Sequence, residues 1–207
     1  MSPAKVEVIV RSPEKGADLK ALGVEVRIAD YDKPETLEAA FAEIDRLLLV
    51  SSSNQVGQRE SQHLNVIAAA KKAGVGFIAY TSLLNTDKRL LKILSGEHNT
   101  TEKALASSGL AYALLRNGWY TKNLTAALPG ALKSGVYASA AGDGKFTTVP
   151  RADYAEAAAR VLADKSVPSG KIFELAGDEP FTLSEFVAEA ARQSGKVIAY
   201  KSLPEAE

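Results

Sequence analysis

The sequence predicts an α/β protein with a doubly wound parallel sheet and a smaller, mixed C-terminal region. One observation behind this fold class is that short apolar or β-branched runs alternate with helical segments, as in successive βα units. A second is that runs such as residues 46–50 are almost continuously apolar, which is typical of strands buried on both faces. The length of 207 residues suffices for one substantial core with a small appendage.

The first half of the chain carries the regular βα rhythm. Ser12 and Pro13 form a good helix start, and Gly23 stops the helix that they open. Asp32, followed three residues later by Glu35, predicts a capping box at the start of the next helix. The predicted strands are residues 6–10, 24–29, 46–50, 77–80 and 110–115, and the predicted helices are residues 14–22, 32–41, 58–73 and 97–107.

After residue 123 the rhythm changes. Residues 124–133 contain a Pro129-Gly130 interruption, and the Ala-Gly-Asp-Gly sequence at 141–144 predicts a turn. Thr182 and Glu185 predict a second capping box. The other elements expected here are helices at 151–163 and 182–192 and strands at 172–175 and 197–200. We therefore divide the chain into a doubly wound region, residues 1–123, and a smaller α/β region, residues 124–207.

The amino-acid composition excludes several classes of protein. Lys and Arg together number 25, as do Asp and Glu, so the whole-chain charge predicts no nucleic-acid or membrane partner. The absence of cysteine excludes disulfide scaffolds and Cys-type zinc sites, and two histidines are too few for a histidine-rich metal cage. His98 is typical of a helix-start hydrogen bonder, and His63 has no visible partner. No apolar run is long enough to cross a membrane and no secretory segment is visible, so we expect a cytoplasmic protein.

Polar residues follow the predicted strands at the places where a doubly wound sheet binds its ligands, outside the carboxyl ends of the strands. These groups are Arg11-Ser12, Asp30-Tyr31, Ser51-Ser52-Ser53, Thr81-Ser82 and Asn117-Gly118-Trp119-Tyr120. Taken singly, each group is typical of ordinary loops, which are polar in most proteins. Taken together, the five groups predict one binding groove.

Seven strings of residues resemble a known family, in order along essentially the whole chain. They are Val-Ile-Val-Arg-Ser-Pro (8–13), Ala-Asp-Tyr-Asp (29–32), Leu-Leu-Leu-Val-Ser-Ser-Ser (47–53), Val-Gly-Gln-Arg (56–59), Phe-Ile-Ala-Tyr-Thr-Ser-Leu-Leu (77–84), Leu-Leu-Arg-Asn-Gly-Trp-Tyr (114–120) and Ala-Gly-Asp-Gly-Lys (141–145). The family is that of the NADPH:quinone oxidoreductases of the NmrA-like, atypical short-chain dehydrogenases. The resemblance implies a Rossmann-like fold, NADP as cofactor and hydride transfer from NADPH to a quinone. A non-catalytic NAD(P)-binding regulator of the same family is the alternative.

The resemblance also implies roles for the strand-end residues. Arg11, with Ser12, stands where an acidic residue would select NAD, and a cation there pairs with the 2′-phosphate of NADP. Asp30 and Tyr31 match the position beside the adenine. The loop along the ribose and diphosphate is matched by Ser51, Ser52 and Ser53, the next strand end by Thr81 and Ser82, and the nicotinamide end by Asn117, Gly118, Trp119, Tyr120, Thr121 and Lys122. Trp119, the single tryptophan, is expected in the core or in a pocket wall.

The catalytic residues implied by the resemblance are Lys103 and Tyr120. Short-chain dehydrogenases usually carry a Tyr-x-x-x-Lys pair, but here Asn99 occupies the tyrosine position four residues before Lys103. This departure disfavours an isomerase or epimerase and leaves the proton donor unassigned. We expect Lys103 to bond the nicotinamide ribose, unless it is only a surface lysine of its helix. Tyr120 is the candidate for stacking on the quinone.

A glycine-rich strand-turn-helix, which such a domain uses to hold the cofactor diphosphate, is absent before Arg11. We expect the chain to be a fragment at both ends, with impaired NADPH binding and activity. The absent strand normally lies between the strands at 6–10 and 46–50. The sequence leaves open whether this position stays empty, whether the two flanking strands close up, or whether a second copy fills it in a homodimer.

Overall fold

The computed structural model describes residues 2–53, 57–88 and 92–204. Asn54 and Val56, which belong to the predicted serine loop and to one of the matching strings, lie outside the described residues. The chain forms two compact units. Unit 1 comprises Met1–Arg116 and Ala157–Phe173, and unit 2 comprises Asn117–Glu156 and Glu174–Glu207. The first boundary between the units thus follows Arg116, and a segment from the second half of the chain belongs to unit 1. The boundary at residue 123 between a cofactor-binding and a substrate region stays a prediction.

Strands and helices alternate through most of the chain. The strands are β1 (Glu7–Val10), β2 (Glu25–Ile28), β3 (Arg46–Leu49), β4 (Phe77–Leu83), β5 (Ala111–Asn117), β6 (Val136–Ser139), β7 (Lys145–Phe146), β8 (Lys171–Leu175), β9 (Phe181–Thr182) and β10 (Ala199–Ser202). The helices are α1 (Ala17–Ala21), α2 (Pro34–Ala40), α3 (Arg59–Ala73), α4 (Lys92–Ser108), α5 (Thr121–Thr125), α6 (Leu128–Ser134), α7 (Arg151–Ala163) and α8 (Leu183–Ser194). The predicted α/β class is confirmed. None of the described helices combines the length and apolarity needed to span a bilayer.

Two sheets carry the strands of the first half. β1 pairs with β2 in parallel, with Val8 opposite Val26. The other sheet has the order β3-β4-β5-β8, and its first two strands are parallel, with Leu47 opposite Ile78. Among the described residues no ladder joins β1 to β3, so these two strands have not closed up against each other. The core of unit 1 includes the fully buried side chains of Leu37, Phe41 and Ile78.

Unit 2 has its own core and small sheets. β6 and β10 are parallel, with Tyr137 opposite Tyr200, and β7 and β9 are antiparallel. Tyr137, Leu183 and Val187 are buried in its core. The capping box is confirmed, because Glu185 N donates to the Thr182 hydroxyl and the Glu185 carboxylate accepts from Thr182 N.

Two predicted helix starts differ from the structure. The first helix begins as a 3-10 turn, Pro13–Gly16, without a side-chain cap from Ser12. The capping box predicted from Asp32 and Glu35 is wrong, since α2 follows Lys33 and no side chain caps it. The hydroxyl of Thr36 instead accepts a hydrogen bond from Asp30 N at 3.0 Å.

Three further predictions need correction. β4 and β5 run on past their predicted ends, because Thr81, Ser82 and Asn117 have strand conformation themselves. Of the two places expected for Trp119, the core is wrong because 41% of this residue is exposed, and the pocket wall stays a prediction. His98 lies well inside α4 rather than at a helix start, because that helix begins at Lys92.

Candidate functional site

A cavity of about 290 Å³ lies at the carboxyl ends of β1, β2 and β3. It brings together six of the predicted residues, namely Arg11, Asp30, Tyr31, Ser51, Ser52 and Ser53. Apolar contact is provided by Ile9, Val10, Ala29 and Val50. The cavity is near the lower end of the size range of small-molecule sites, which is roughly 300–1,000 Å³. Three of the five predicted strand-end groups therefore contribute residues to this cavity of unit 1.

The cationic side of the cavity contains Arg11 and Lys15, both exposed. Lys15 was not predicted as a site residue. It lies on the 3-10 turn that follows Arg11, and its backbone N–H donates to the Ser12 carbonyl at 3.2 Å. Ser12 is absent from the cavity lining, and a hydrogen bond from its side chain lowers the pKa of Glu14. Two cations four residues apart can face the same anionic group.

A tight turn after β2 also contributes to the cavity lining. Asp32 N donates to the Asp30 carboxylate at 3.1 Å, and Asn65 of α3 donates its amide to the Tyr31 carbonyl at 2.9 Å. The Tyr31 hydroxyl donates to the carbonyl of Val50 at 3.4 Å. Burial raises the pKa of Tyr31 to about 12, so this phenol stays neutral near pH 7. The turn is held from both α3 and the end of β3.

The serine loop is fixed from behind through its backbone. Ser51 N donates to the Thr81 hydroxyl at 2.7 Å, and Ser52 N donates to His63 Nε2 at 2.9 Å. Thr81 thus supports the cavity from β4 and is not part of its lining. Because these two backbone groups are anchored, the loop presents its small side chains to the cavity in a defined arrangement.

The proton positions on His63 follow from its partners. The Thr101 hydroxyl donates to the Glu97 carbonyl at 2.9 Å, so it can only accept from His63 Nδ1, which lies 2.9 Å away. His63 therefore carries its proton on Nδ1, and its bare Nε2 accepts from Ser52. Burial lowers the pKa of His63 to about 4, which keeps the ring neutral at pH 7. These partners of His63 could not be predicted from the sequence.

A buried polar network continues behind the loop. The Tyr80 hydroxyl lies 2.7 Å from His98 Nδ1, and burial also lowers the pKa of His98 to about 4. Ser82 donates to the Glu102 carboxylate at 2.5 Å, and Arg116 forms two hydrogen bonds with that carboxylate, at 3.0 and 2.8 Å. The structure therefore does not bring Ser82 into the cavity, because its hydroxyl is used by Glu102.

Lys103 lies on α4 next to Glu102, but its side chain is exposed and does not line the cavity. Within the described residues, no group of three or more histidine or carboxylate side chains is arranged to hold a metal ion.

The segment matched to the nicotinamide end lies in unit 2. Asn117 is 5% exposed and its Oδ1 has no hydrogen-bond partner among the described residues. Gly118 N donates to the Leu175 carbonyl, and Thr121 donates through its hydroxyl to Thr148. Tyr120 precedes α5 and packs edge-on against Tyr154, with ring centroids 5.3 Å apart. Trp119 and Lys122 are exposed.

The family model for NAD(P)H-binding proteins matches residues 2–165. The chain belongs to this NAD(P)H-binding family. It is 52% identical over 204 residues to quinone oxidoreductase 2 of Escherichia coli K12, covering 99% of this chain and 70% of that protein. The crystal structure of the E. coli NADPH-dependent quinone oxidoreductase QOR2 with NADPH matches with a TM-score of 0.93 and 51% identity, over 100% of this chain and 72% of that one.

A second solved structure matches at lower sequence identity. Citrobacter triphenylmethane reductase, complexed with NADP(H), matches this NAD(P)H-binding chain with a TM-score of 0.92 and 33% identity, over 98% of this chain and 71% of that one. The predicted resemblance to the quinone oxidoreductases of the NmrA-like family is confirmed, and these matches lend no support to a non-catalytic regulator.

Sequence reasoning missed three supporting residues, Lys15, Gln62 and His63. Lys15 is a second cation in the turn that directly follows Arg11, and this closeness in the sequence was a weak signal. Gln62 and His63 lie on α3 and are 3% and 1% exposed. The signal for them in the sequence was the presence of polar residues among apolar ones in this helix. Buried polar side chains require partners, which the structure supplies from distant parts of the chain.

Proposed function

We propose that this chain binds NADPH with its adenosine end in the cavity of unit 1 and catalyses hydride transfer to a quinone. The observation that carries the proposal is the cavity at the strand ends, with two cations, Arg11 and Lys15, on one side of it. The rest of the cavity lining also fits an adenosine phosphate, because it offers apolar walls, small hydroxyls and a polar turn. The similarity to proteins described as quinone oxidoreductases supports the reaction type.

The cationic side favours NADP over NAD. A residue at this position that selects NAD is acidic and accepts from the ribose 2′-hydroxyl, whereas Arg11 offers a guanidinium to a 2′-phosphate. Lys15 adds a second charge to the same side of the cavity. Because both side chains are exposed, we expect their combined contribution to weaken as salt screens it.

The remaining predicted contacts follow the length of the cofactor. Asp30 and Tyr31 are proposed to lie against the adenine, and the hydroxyls of Ser51, Ser52 and Ser53 against ribose and diphosphate. In unit 2 we propose that the segment 117–122 contacts the nicotinamide end. Lys103 is proposed to bond the nicotinamide ribose. Ser12, Thr81 and Ser82 stay proposals as direct contacts, although the hydroxyls of Thr81 and Ser82 already serve other groups.

The chemistry requires little of the protein beyond positioning. NADPH supplies the hydride when it is bound. The protein holds the acceptor in line with the hydride donor, and this positioning can contribute most of the rate for a good hydride acceptor. We propose that Tyr120 stacks on the quinone ring. Asn99, at the position of the usual tyrosine acid, supplies no proton of comparable acidity, so the reduced quinone oxygens take protons from water or nearby hydroxyls.

Residues 1–123 are proposed as the NADP-binding region and 124–207 as the substrate side, in a cytoplasmic protein. Nucleic acid is not among the proposed partners. A homodimer, in which a second copy lies against the edges of β1 and β3, is the proposed assembly, and light scattering after size-exclusion chromatography tests it. A mass of one chain at all concentrations contradicts the homodimer.

Steady oxidation of NADPH in the presence of 1,4-benzoquinone tests the activity. We expect turnover that depends on both the quinone and the chain, together with a fluorescence change when NADPH is titrated into the chain alone. A chain that binds NADPH without any quinone-dependent oxidation contradicts the enzyme. A chain that is folded by circular dichroism and binds no NADPH contradicts the whole proposal.

A further inference from the structure

Gln62 is a buried amide beside the cavity, and only one end of it is satisfied. It lies on α3, is 3% exposed, and belongs to the cavity lining. Its Nε2 donates to Asp32 Oδ2 at 2.8 Å. Its Oε1 is buried and has no hydrogen-bond partner within the part of the chain that the structure describes. Buried polar atoms are nearly always paired in folded proteins, so this oxygen requires an explanation.

The orientation of the amide is fixed by its neighbour. An ionised carboxylate only accepts hydrogen bonds, so the Asp32 carboxylate must face the amide nitrogen of Gln62. Rotating the amide by half a turn would place two acceptors against each other. The side chain therefore offers an acceptor, and not a donor, to whatever occupies its side of the cavity.

The base end of the proposed cofactor supplies the matching donor. Gln62 shares the cavity with Asp30 and Tyr31, which follow β2. Adenine carries an exocyclic amine, whereas a purine with a carbonyl at that position offers only an acceptor. We propose that Gln62 Oε1 accepts a hydrogen bond from this amine and is a specificity-determining residue for adenine. This inference rests on the proposed function.

The anchoring of Asp32 explains why the arrangement is selective. Asp32 N is held by the Asp30 carboxylate, so the turn that orients Gln62 is the turn that lies against the base. A site built to bond a substrate amine rejects an analogue that lacks it, because the buried acceptor is then left unpaired. The unpaired oxygen of Gln62 thus allows the base site to distinguish adenine from a purine that carries a carbonyl in place of the amine.

The test compares NADPH with its hypoxanthine analogue, in which a carbonyl replaces the exocyclic amine. Both carry the same reduced nicotinamide, so one fluorescence titration measures both dissociation constants. We expect the unmodified chain to bind NADPH about tenfold more tightly than the analogue. Equal affinities overturn the role of Gln62 and leave the proposed function standing, whereas no binding of either compound overturns the proposed function itself.

The variant Gln62→Met keeps the length of the side chain but removes the acceptor. We expect it to bind NADPH about tenfold more weakly and to bind the two compounds within about twofold of each other. Asn65→Leu is the matched control, since Asn65 holds the same turn through the Tyr31 carbonyl from one helical turn away. It is expected to weaken both compounds equally. A Gln62→Met chain that keeps the full preference for NADPH overturns the proposal.

A second variant, Asp32→Ala, tests the proposal even if Gln62→Met does not fold. Asp32 is exposed, so Asp32→Ala is expected to be tolerated while it frees the Gln62 amide to rotate. The preference for NADPH over the analogue should then fall to about threefold or less. An undiminished preference in this folded variant contradicts the fixed orientation on which the proposal depends.

Discussion

The two buried histidines predict an acid-sensitive fold. His63 and His98 are 1% and 5% exposed, and burial lowers the pKa of each from 6.5 to about 4. Other charged groups that act on them are Arg59, Glu97 and Glu102. In the unfolded chain a histidine takes its proton near pH 6.5, whereas in the folded chain it does so only near pH 4. Folded stability is therefore fully present above pH 6.5 and declines as the pH falls toward 4.

The magnitude follows from the two pKa values. Between about pH 7.5 and about pH 5, one histidine with these values reduces the free energy of unfolding by about 2 kcal/mol. This is a substantial part of a typical total of about 5–15 kcal/mol. Most carboxylates stay ionised in this range, so the decline in stability should be due mainly to the histidines.

Urea unfolding at both pH values measures the effect, and the chain offers its own control because it has two histidines. His63→Gln retains an acceptor near Ser52 but does not titrate, so we expect the loss between the two pH values to be roughly halved. His98→Gln should behave in the same way, and the double variant should be nearly insensitive to pH. A wild-type chain with equal stability at both pH values, or a double variant with the full loss, refutes the reasoning.

Three further predictions concern the supports of the cavity and the core. Thr81→Val removes the acceptor for Ser51 N and should raise the dissociation constant for NADPH about tenfold in a fluorescence titration, while Thr81→Ser changes it little. Glu102→Ala removes the carboxylate partner of Arg116 and should lower the free energy of unfolding by about 3–5 kcal/mol. The double variant Glu102→Leu/Arg116→Met should recover most of this loss. A loss below about 1 kcal/mol for Glu102→Ala contradicts a buried ion pair. Gly16→Ala places a Cβ 2.5 Å from Val26 Cγ1 and should cost about 1–3 kcal/mol in urea unfolding, and Val26→Ala added to it should recover part of this loss rather than deepen it.

The cavity could be predicted in outline because parallel strands bring their carboxyl ends to one edge of a sheet. This rule alone places Arg11, Asp30 and Ser51 near one another, although 19 to 40 residues separate them in the chain. The long helix α3 was also predictable, since Gly74 adopts the left-handed conformation that ends it.

The supports of the cavity could not be predicted in the same way. The partners of His63 include Ser52 and Thr101, and no local pattern connects these positions. Thr81 was expected after a strand, but it lies within β4. The sequence Thr-Ser-Leu is compatible with both a strand and a loop, and the choice depends on pairing with distant parts of the chain. Trp119 was expected in the core or in a pocket wall from its residue type, which favours burial without requiring it.

Arg11 is proposed to bind the 2′-phosphate of NADP, and the affinities of Arg11→Ala for NADPH and NADH test this role. We expect this variant to bind NADPH about tenfold or more weakly and NADH almost unchanged, with the difference shrinking at high salt. Arg11→Lys should retain part of the preference because it keeps the charge. Equal losses for NADPH and NADH, or no loss for either, would contradict the account.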